Sequence, residues 1–175
     1  MKSLDAIKQL SEITAYQWGM FTSAQADRVG VPRYSLSRLE SFGQIERLQH
    51  GVYRIVAAPP DEYEELRALW LKFRPKLFAY ERIASPEEDF IVVGQTAAIL
   101  HGMADYRMDR FEFAHNGRRQ TRVSHVILRN RAIDSSAIII KSGLPATNSQ
   151  TTYQDLVRQR EDMSSVRLDE AGDWL

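Results

Sequence analysis

The sequence predicts an α+β fold in two parts, and three observations carry that prediction. Phe21 to Ile55 reads as two short helices, a tight turn and a β-hairpin. Ala57-Ala58-Pro59-Pro60 then breaks the pattern, because two prolines bar strand continuation and favour an extended step. Beyond that step, short apolar runs of strand length are interspersed with helical periodicities. The boundary accordingly falls after residue 58, giving a first domain of residues 1–58 and a second, small mixed α/β domain of residues 59–175 with helices on one side of its sheet.

Within the first domain, Ser3 to Gln17 forms a helix, with Leu4, Ile7, Leu10 and Ile13 recurring at helical spacing. Tyr16, Trp18 and Phe21 complete the core, the tryptophan as packing. Thr22 or Ser23 caps the next helix, a side-chain oxygen satisfying amide donors that the helix leaves open. Ala24, Ala26 and Val29 give that helix its apolar side, Gly30 takes the left-handed conformation that ends it, and Pro32 opens the following one. From Arg33 to Ser41 the second helix sets Leu36 and Leu39 on one side and Tyr34, Ser37, Arg38 and Ser41 on the other. Gly43 ends it. Ile45 to Gln49 then pairs with Val52 to Val56 across the His50-Gly51 turn, with Arg47 and Arg54 on the two arms. This succession is that of a winged helix-turn-helix. The outer face of its second helix is short, polar and cationic, which suits hydrogen bonding to base edges and phosphates in a major groove. The hairpin tip of Gln49, His50 and Gly51 is slim enough to lie along the backbone or in a minor groove. The same architecture also serves as a protein-docking module.

In the second domain, Asp61 to Arg74 is a helix with Asp61, Glu62, Glu64 and Glu65 at its positive end and an apolar stripe of Tyr63, Leu66, Leu69, Trp70 and Phe73. Pro75 ends it, and Ser85 to Asp89 is an acidic loop. Phe90 to Val93 is a buried strand, and Gln95 to Leu100 a helix after Gly94. That joint lacks the glycine-rich loop and lysine of a P-loop, so it serves packing. His101 is a partly buried, satisfied side chain. Arg110 to His115 and Ser124 to Asn130 are strands joined through Asn116-Gly117, a turn signal, so that His115 and His125 could face each other. Ala137 to Lys141 is a strand, Gly143-Leu144-Pro145 turns the chain, and Asn148 or Ser149 caps a helix reaching about Arg160. Glu161 to Leu175 is an acidic tail, either a short helix or frayed.

Charge is balanced overall, 23 basic against 23 acidic residues, but unevenly placed. Residues 1–58 carry seven Lys/Arg and five Asp/Glu, and residues 110–131 six and one. Residues 59–109 carry six and ten, and residues 132–175 four and seven. Phosphate affinity follows local potential, so the two basic segments matter and the neutral total does not. The surplus of two in the first domain predicts modest affinity for one copy, which cooperative or dimeric binding would remedy. The loop carrying Arg118, Arg119 and Arg122 suits either a second phosphate track or an acidic protein surface, or is simply solvated.

With no cysteines, disulfide and thiolate chemistry are excluded. No apolar run reaches the roughly 20 residues of a membrane span, and the N-terminus lacks a signal peptide's apolar stretch. A cytoplasmic protein without membrane contact is expected. Four histidines without ligand spacing offer no metal site, and Asp105 and Asp109 lack the further partner that a nuclease-like cluster needs. No metal, cofactor or catalytic residue is expected, and no enzymatic activity.

Three stretches resemble the AbiEi antitoxins. The run Gly19-Met20-Phe21-Thr22, Gln25-Ala26, Val29-Gly30-Val31 and Gly51-Val52-Tyr53-Arg54 is similar to their N-terminal domain. Val92 through Gly102, ending Leu100-His101-Gly102, is similar to a strand–helix segment of the family. Gly143-Leu144-Pro145-Ala146-Thr147 with Thr152 and Asp155-Leu156 resembles a later one. The resemblance implies an antitoxin of a bacterial toxin–antitoxin system that represses its own operon and counters a nucleotidyltransferase-fold toxin. Double-stranded operator DNA is then a partner, with the toxin a second and the antitoxin a monomer or dimer, cooperative on DNA. Arg33, Tyr34, Ser35, Ser37 and Arg38 are expected to contact the groove, and Arg47, His50 and Arg54 to hold phosphates from the wing. Thr22 and Ser23, and the loop arginines Arg118, Arg119 and Arg122, complete the expected DNA-binding set. The alternative reading is a stand-alone or ligand-sensing transcriptional regulator.

Overall fold

The protein, seen in a computed structural model that describes residues 3–167, is α+β and divides into two compact units, residues 1–82 and 83–175. Residues 168–175, the far part of the acidic tail, lie outside the described residues.

The first unit opens with α1 (Ser3–Thr14), β1 (Met20–Thr22), α2 (Ser23–Arg28), α3 (Arg33–Ser41), β2 (Ile45–Gln49) and β3 (Val52–Ile55). The three strands form an antiparallel sheet in the order β1-β3-β2. Two short helices joined by a tight turn are thus followed by a two-stranded antiparallel hairpin, the order expected of a helix-turn-helix with a wing. Leu36 and Leu39 on α3 enter a common core with Ala6 and Leu10 of α1 and with Phe21, Ile45 and Tyr53 of the sheet. Burying each such leucine is worth about 1.5–3 kcal/mol, so the core sets which face of α3 turns outward. Strand β1 has no alternating pattern because all three of its residues are buried.

The same unit continues into α4 (Glu64–Phe73) and α5 (Ala79–Ile83), which end it at Arg82 instead of the expected residue 58. The cause is a set of buried polar bonds running from the helix-turn-helix to the segment after α4. The Thr22 hydroxyl donates to the Pro75 carbonyl, Gln25 Nε2 donates to the Leu77 carbonyl (2.6 Å), and Gln17 Oε1 accepts from the Ala79 amide (2.8 Å). Trp70 of α4 packs edge-on against Trp18, their ring centroids 6.1 Å apart, and Arg82 lies over the Trp70 ring at 3.4 Å.

In the second unit β4 (Ile91–Val92), β5 (Phe111–His115), β6 (Val126–Asn130), β7 (Ile138–Lys141) and β8 (Leu144–Thr147) form a mixed sheet in the order β6-β5-β4-β8-β7. Helices α6 (Gly94–His101) and α7 (Ser149–Gln159) pack together, with Ala98, Met103, Ala104 and Leu156 between them and their flanking loop. Two expectations change here. Of Gly143-Leu144-Pro145, expected to turn the chain, Leu144 and Pro145 instead belong to a buried strand, Leu144–Thr147. Strands β5 and β6 run parallel, not as a hairpin, so His115 stands opposite Asn130 and does not face His125. The loop between them is therefore a crossover, and Asn116-Gly117 begins it without closing it.

Buried charge in this unit is paired. Glu112, fully buried, accepts from Arg129 Nε (3.0 Å) and Nη2 (2.5 Å), and Asp155 is held by Arg131. The glycine at the strand–helix joint has a steric reason: a Cβ on Gly94, which adopts φ +60°, would stand 2.8 Å from the Glu112 carboxylate. His101 is buried, its Nε2–H donating to the Thr147 carbonyl (2.7 Å). Burial pushes its ring pKa below the ordinary 6.5, against the pull of that carbonyl.

Candidate nucleic-acid interface

Capping fixes where the helix-turn-helix begins. Thr22 is the N-cap of α2: its hydroxyl accepts from the Gln25 amide (3.0 Å), and the Gln25 side chain accepts from the Thr22 amide (2.9 Å), a reciprocal capping box. Val31 N–H reaches back to the Ala26 carbonyl (2.9 Å) through a turn in which Gly30 sits at φ +80°. Pro32 then stands at the N-cap of α3.

On α3 the outward face carries Arg33, Tyr34, Ser37 and Arg38, all exposed, with Ser41 one turn further. Tyr34 keeps 65% of its surface. Arg38 leans over Phe42, its guanidinium carbon 5.6 Å from the ring centroid. Phe42 is itself 63% exposed at the C-cap of α3, a large apolar side chain on the outward surface that the sequence reading did not single out. The signal was there in the spacing, since residues four apart on a helix are neighbours.

Three expected contacts are turned inward. Ser35 is buried, because it sits one turn before Leu39 and shares its side of the helix. Thr22 is fully buried and its hydroxyl is used by the cap and by the Pro75 carbonyl. Arg54, 7% exposed, lies in an ion-pair cluster: Nη2 meets Glu46 (2.8 Å), Nε meets Glu64 (2.7 Å), and Nη1 donates to the Ala58 carbonyl. Its place on β3, the central strand, explains this, since that strand has a neighbour on each edge and α4 packs against it.

The wing keeps Arg47 and His50 at its surface. Arg47 bonds to the Tyr53 hydroxyl (3.1 Å) and approaches Glu40 at 3.4 Å, which braces its stem while the side chain remains 48% exposed. Ser23, half-buried, stands beside Gly51, whose carbonyl accepts from the Ser23 amide (2.9 Å) and so ties the wing tip to the start of α2. In the second unit Arg118, Arg119 and Arg122 are exposed on the β5–β6 crossover.

The outward residues Arg33, Tyr34, Ser37, Arg38, Arg47 and His50 thus all come from α3 and the hairpin that follows it, and the same stretch is the one with a family match. Residues 8–56 match the model of a family of transcriptional regulators, the AbiEi antitoxins. The N-terminal segment is thus similar to that family's regulator segment. The AbiEi match runs from within α1 to the end of the wing, the part that builds and presents α3. No curated protein matches the chain. Among the described residues no helix is long and apolar enough to cross a membrane, and no group of three or more His, Asp or Glu is placed to hold a metal ion.

Proposed function

We propose that this protein is an autoregulating antitoxin that binds the promoter DNA of its own operon as a double-stranded operator. In this reading α3 enters the major groove, Arg33, Tyr34, Ser37 and Arg38 meet base edges and flanking phosphates, and Arg47 and His50 touch the backbone from the wing. One observation carries it. The polar, cationic side of α3 is exposed within the AbiEi-matched segment, while Leu36 and Leu39 hold the opposite side in the core. A helix held by its apolar side and open on its donor-rich side has the form that groove reading requires. Ser35, Thr22 and Arg54 support the fold beneath that surface. The second unit has the role of countering a nucleotidyltransferase-fold toxin, and its Arg118, Arg119 and Arg122 loop adds a phosphate contact. The site is cytoplasmic and needs no cofactor.

The test is Arg38→Ala. The side chain is exposed, so the variant folds as wild type does, and its operator affinity falls by about 1–3 kcal/mol in a fluorescence-anisotropy titration. Unchanged affinity in the folded variant overturns this assignment of α3.

A further inference from the structure

The outer side of α1 is an unpartnered face with its own pattern. Leu4 is 79% exposed and Tyr16, two residues past the helix end, 85% exposed, while Lys8 and Glu12 between them are exposed as well. Leu4, Lys8 and Glu12 recur every fourth residue and make one ridge along the surface of α1, and Tyr16 stands just past its end. Large apolar side chains at both ends of a ridge, with one cation and one anion at its middle, form a self-complementary arrangement. When two such ridges lie antiparallel about a two-fold axis near residue 10, Lys8 meets Glu12 of the second copy, Glu12 meets Lys8, and Leu4 meets Tyr16 at each end.

A second feature supports the same register. A pocket of about 140 Å³ lies at the far end of the ridge, lined by Glu12 and Tyr16 together with Ile13, Val29 and Phe78. The antiparallel register brings Leu4 of the second copy beside Tyr16, at the rim of this pocket.

We infer that the outer face of α1 is a dimer interface whose occupant is a second copy of this chain, joined antiparallel with reciprocal Lys8–Glu12 pairs. The inference is independent of DNA binding. It is compatible with it, because α1 and α3 bury their inner sides in one shared core, and joining copies along the outside of α1 uses none of the exposed residues of α3. A pair related in this way presents two α3 helices by two-fold symmetry, as an inverted-repeat site requires.

Sedimentation equilibrium on the full chain tests the inference, with Lys8→Glu and Glu12→Lys prepared separately. Both positions are exposed, and far-UV circular dichroism verifies that each variant is folded. The wild type dimerises in the micromolar range, and each single variant dissociates at least about tenfold more readily because two reciprocal pairs become like-charged. An equimolar mixture of the two variants recovers the wild-type association, since every substituted side chain then faces an opposite charge. Leu4→Glu weakens association in either background. A wild type that remains monomeric throughout that range overturns the inference, as does a mixture that associates no better than its components.

Discussion

The buried arginine of the wing illustrates how a residue's role follows from its strand position. Arg54 alternates with Tyr53 and Ile55 on β3 and carries the same charge as Arg47, but its guanidinium is enclosed by Glu46, Glu64 and the Ala58 carbonyl. Removing it leaves a carboxylate of α4 without its counterion, so Arg54→Ala lowers unfolding free energy by about 1–3 kcal/mol in urea denaturation. Operator affinity of the folded variant stays near wild type, in contrast to Arg38→Ala. At His101 the prediction concerns pH. Burial holds the folded-state pKa below the ordinary 6.5, so below that pH the unfolded chain binds more protons than the folded one. Stability therefore falls as pH drops through 6.5 and goes on falling toward the lower folded value. In thermal melts from about pH 7 down to about pH 5.5, His101→Gln flattens this acid-side decline while the wild type retains it. Leu36, Leu39, Tyr34 and Arg38 were legible from helical phase alone. Ser35 was legible by the same phase, and its inclusion among groove contacts ignored that it shares a side with Leu39. The burial of Arg54 was not legible, because its carboxylate partner Glu64 lies across the proline step.

At the level of elements, those with amphipathic spacing or clear flanking turn signals declare themselves, and two buried strands without either do not. Helix α3 and the wing strands were legible because each has a wet and a dry side or a glycine turn. Strands β1 and β8 have no wet side, and Pro145 gives β8 the look of a turn. The parallel pairing of β5 and β6 was hidden for another reason: register between neighbouring strands depends on the rest of the sheet, and an Asn-Gly pair marks a change of direction without stating how far the chain then travels. The crossover that results carries Arg118, Arg119 and Arg122 on exposed backbone. If this loop meets phosphate, replacing all three by alanine reduces the slope of log affinity against log salt by up to roughly 3 × 0.9. A salt slope that stays put while toxin neutralisation is lost would make the loop a protein-binding element instead.

For the whole molecule, the two-part organisation was legible in the sequence but its seam was not. The prolines after Ala58 suggest an end, yet buried polar bonds from Thr22, Gln25 and Gln17 draw the next two helices into the first unit. Sequence spacing cannot announce bonds between residues more than fifty positions apart. The packing of α4 against β1, β2 and β3 gives the first unit a larger base than the helix-turn-helix alone provides. In the proposed function helix α3 of this unit reads a specific duplex. The measurement that tests it most directly is titration of the full chain against the DNA upstream of its own gene and against a shuffled duplex of equal length, at physiological salt. Specific reading predicts binding to the upstream duplex at least about a thousandfold tighter, and equal affinity for the two duplexes would contradict it.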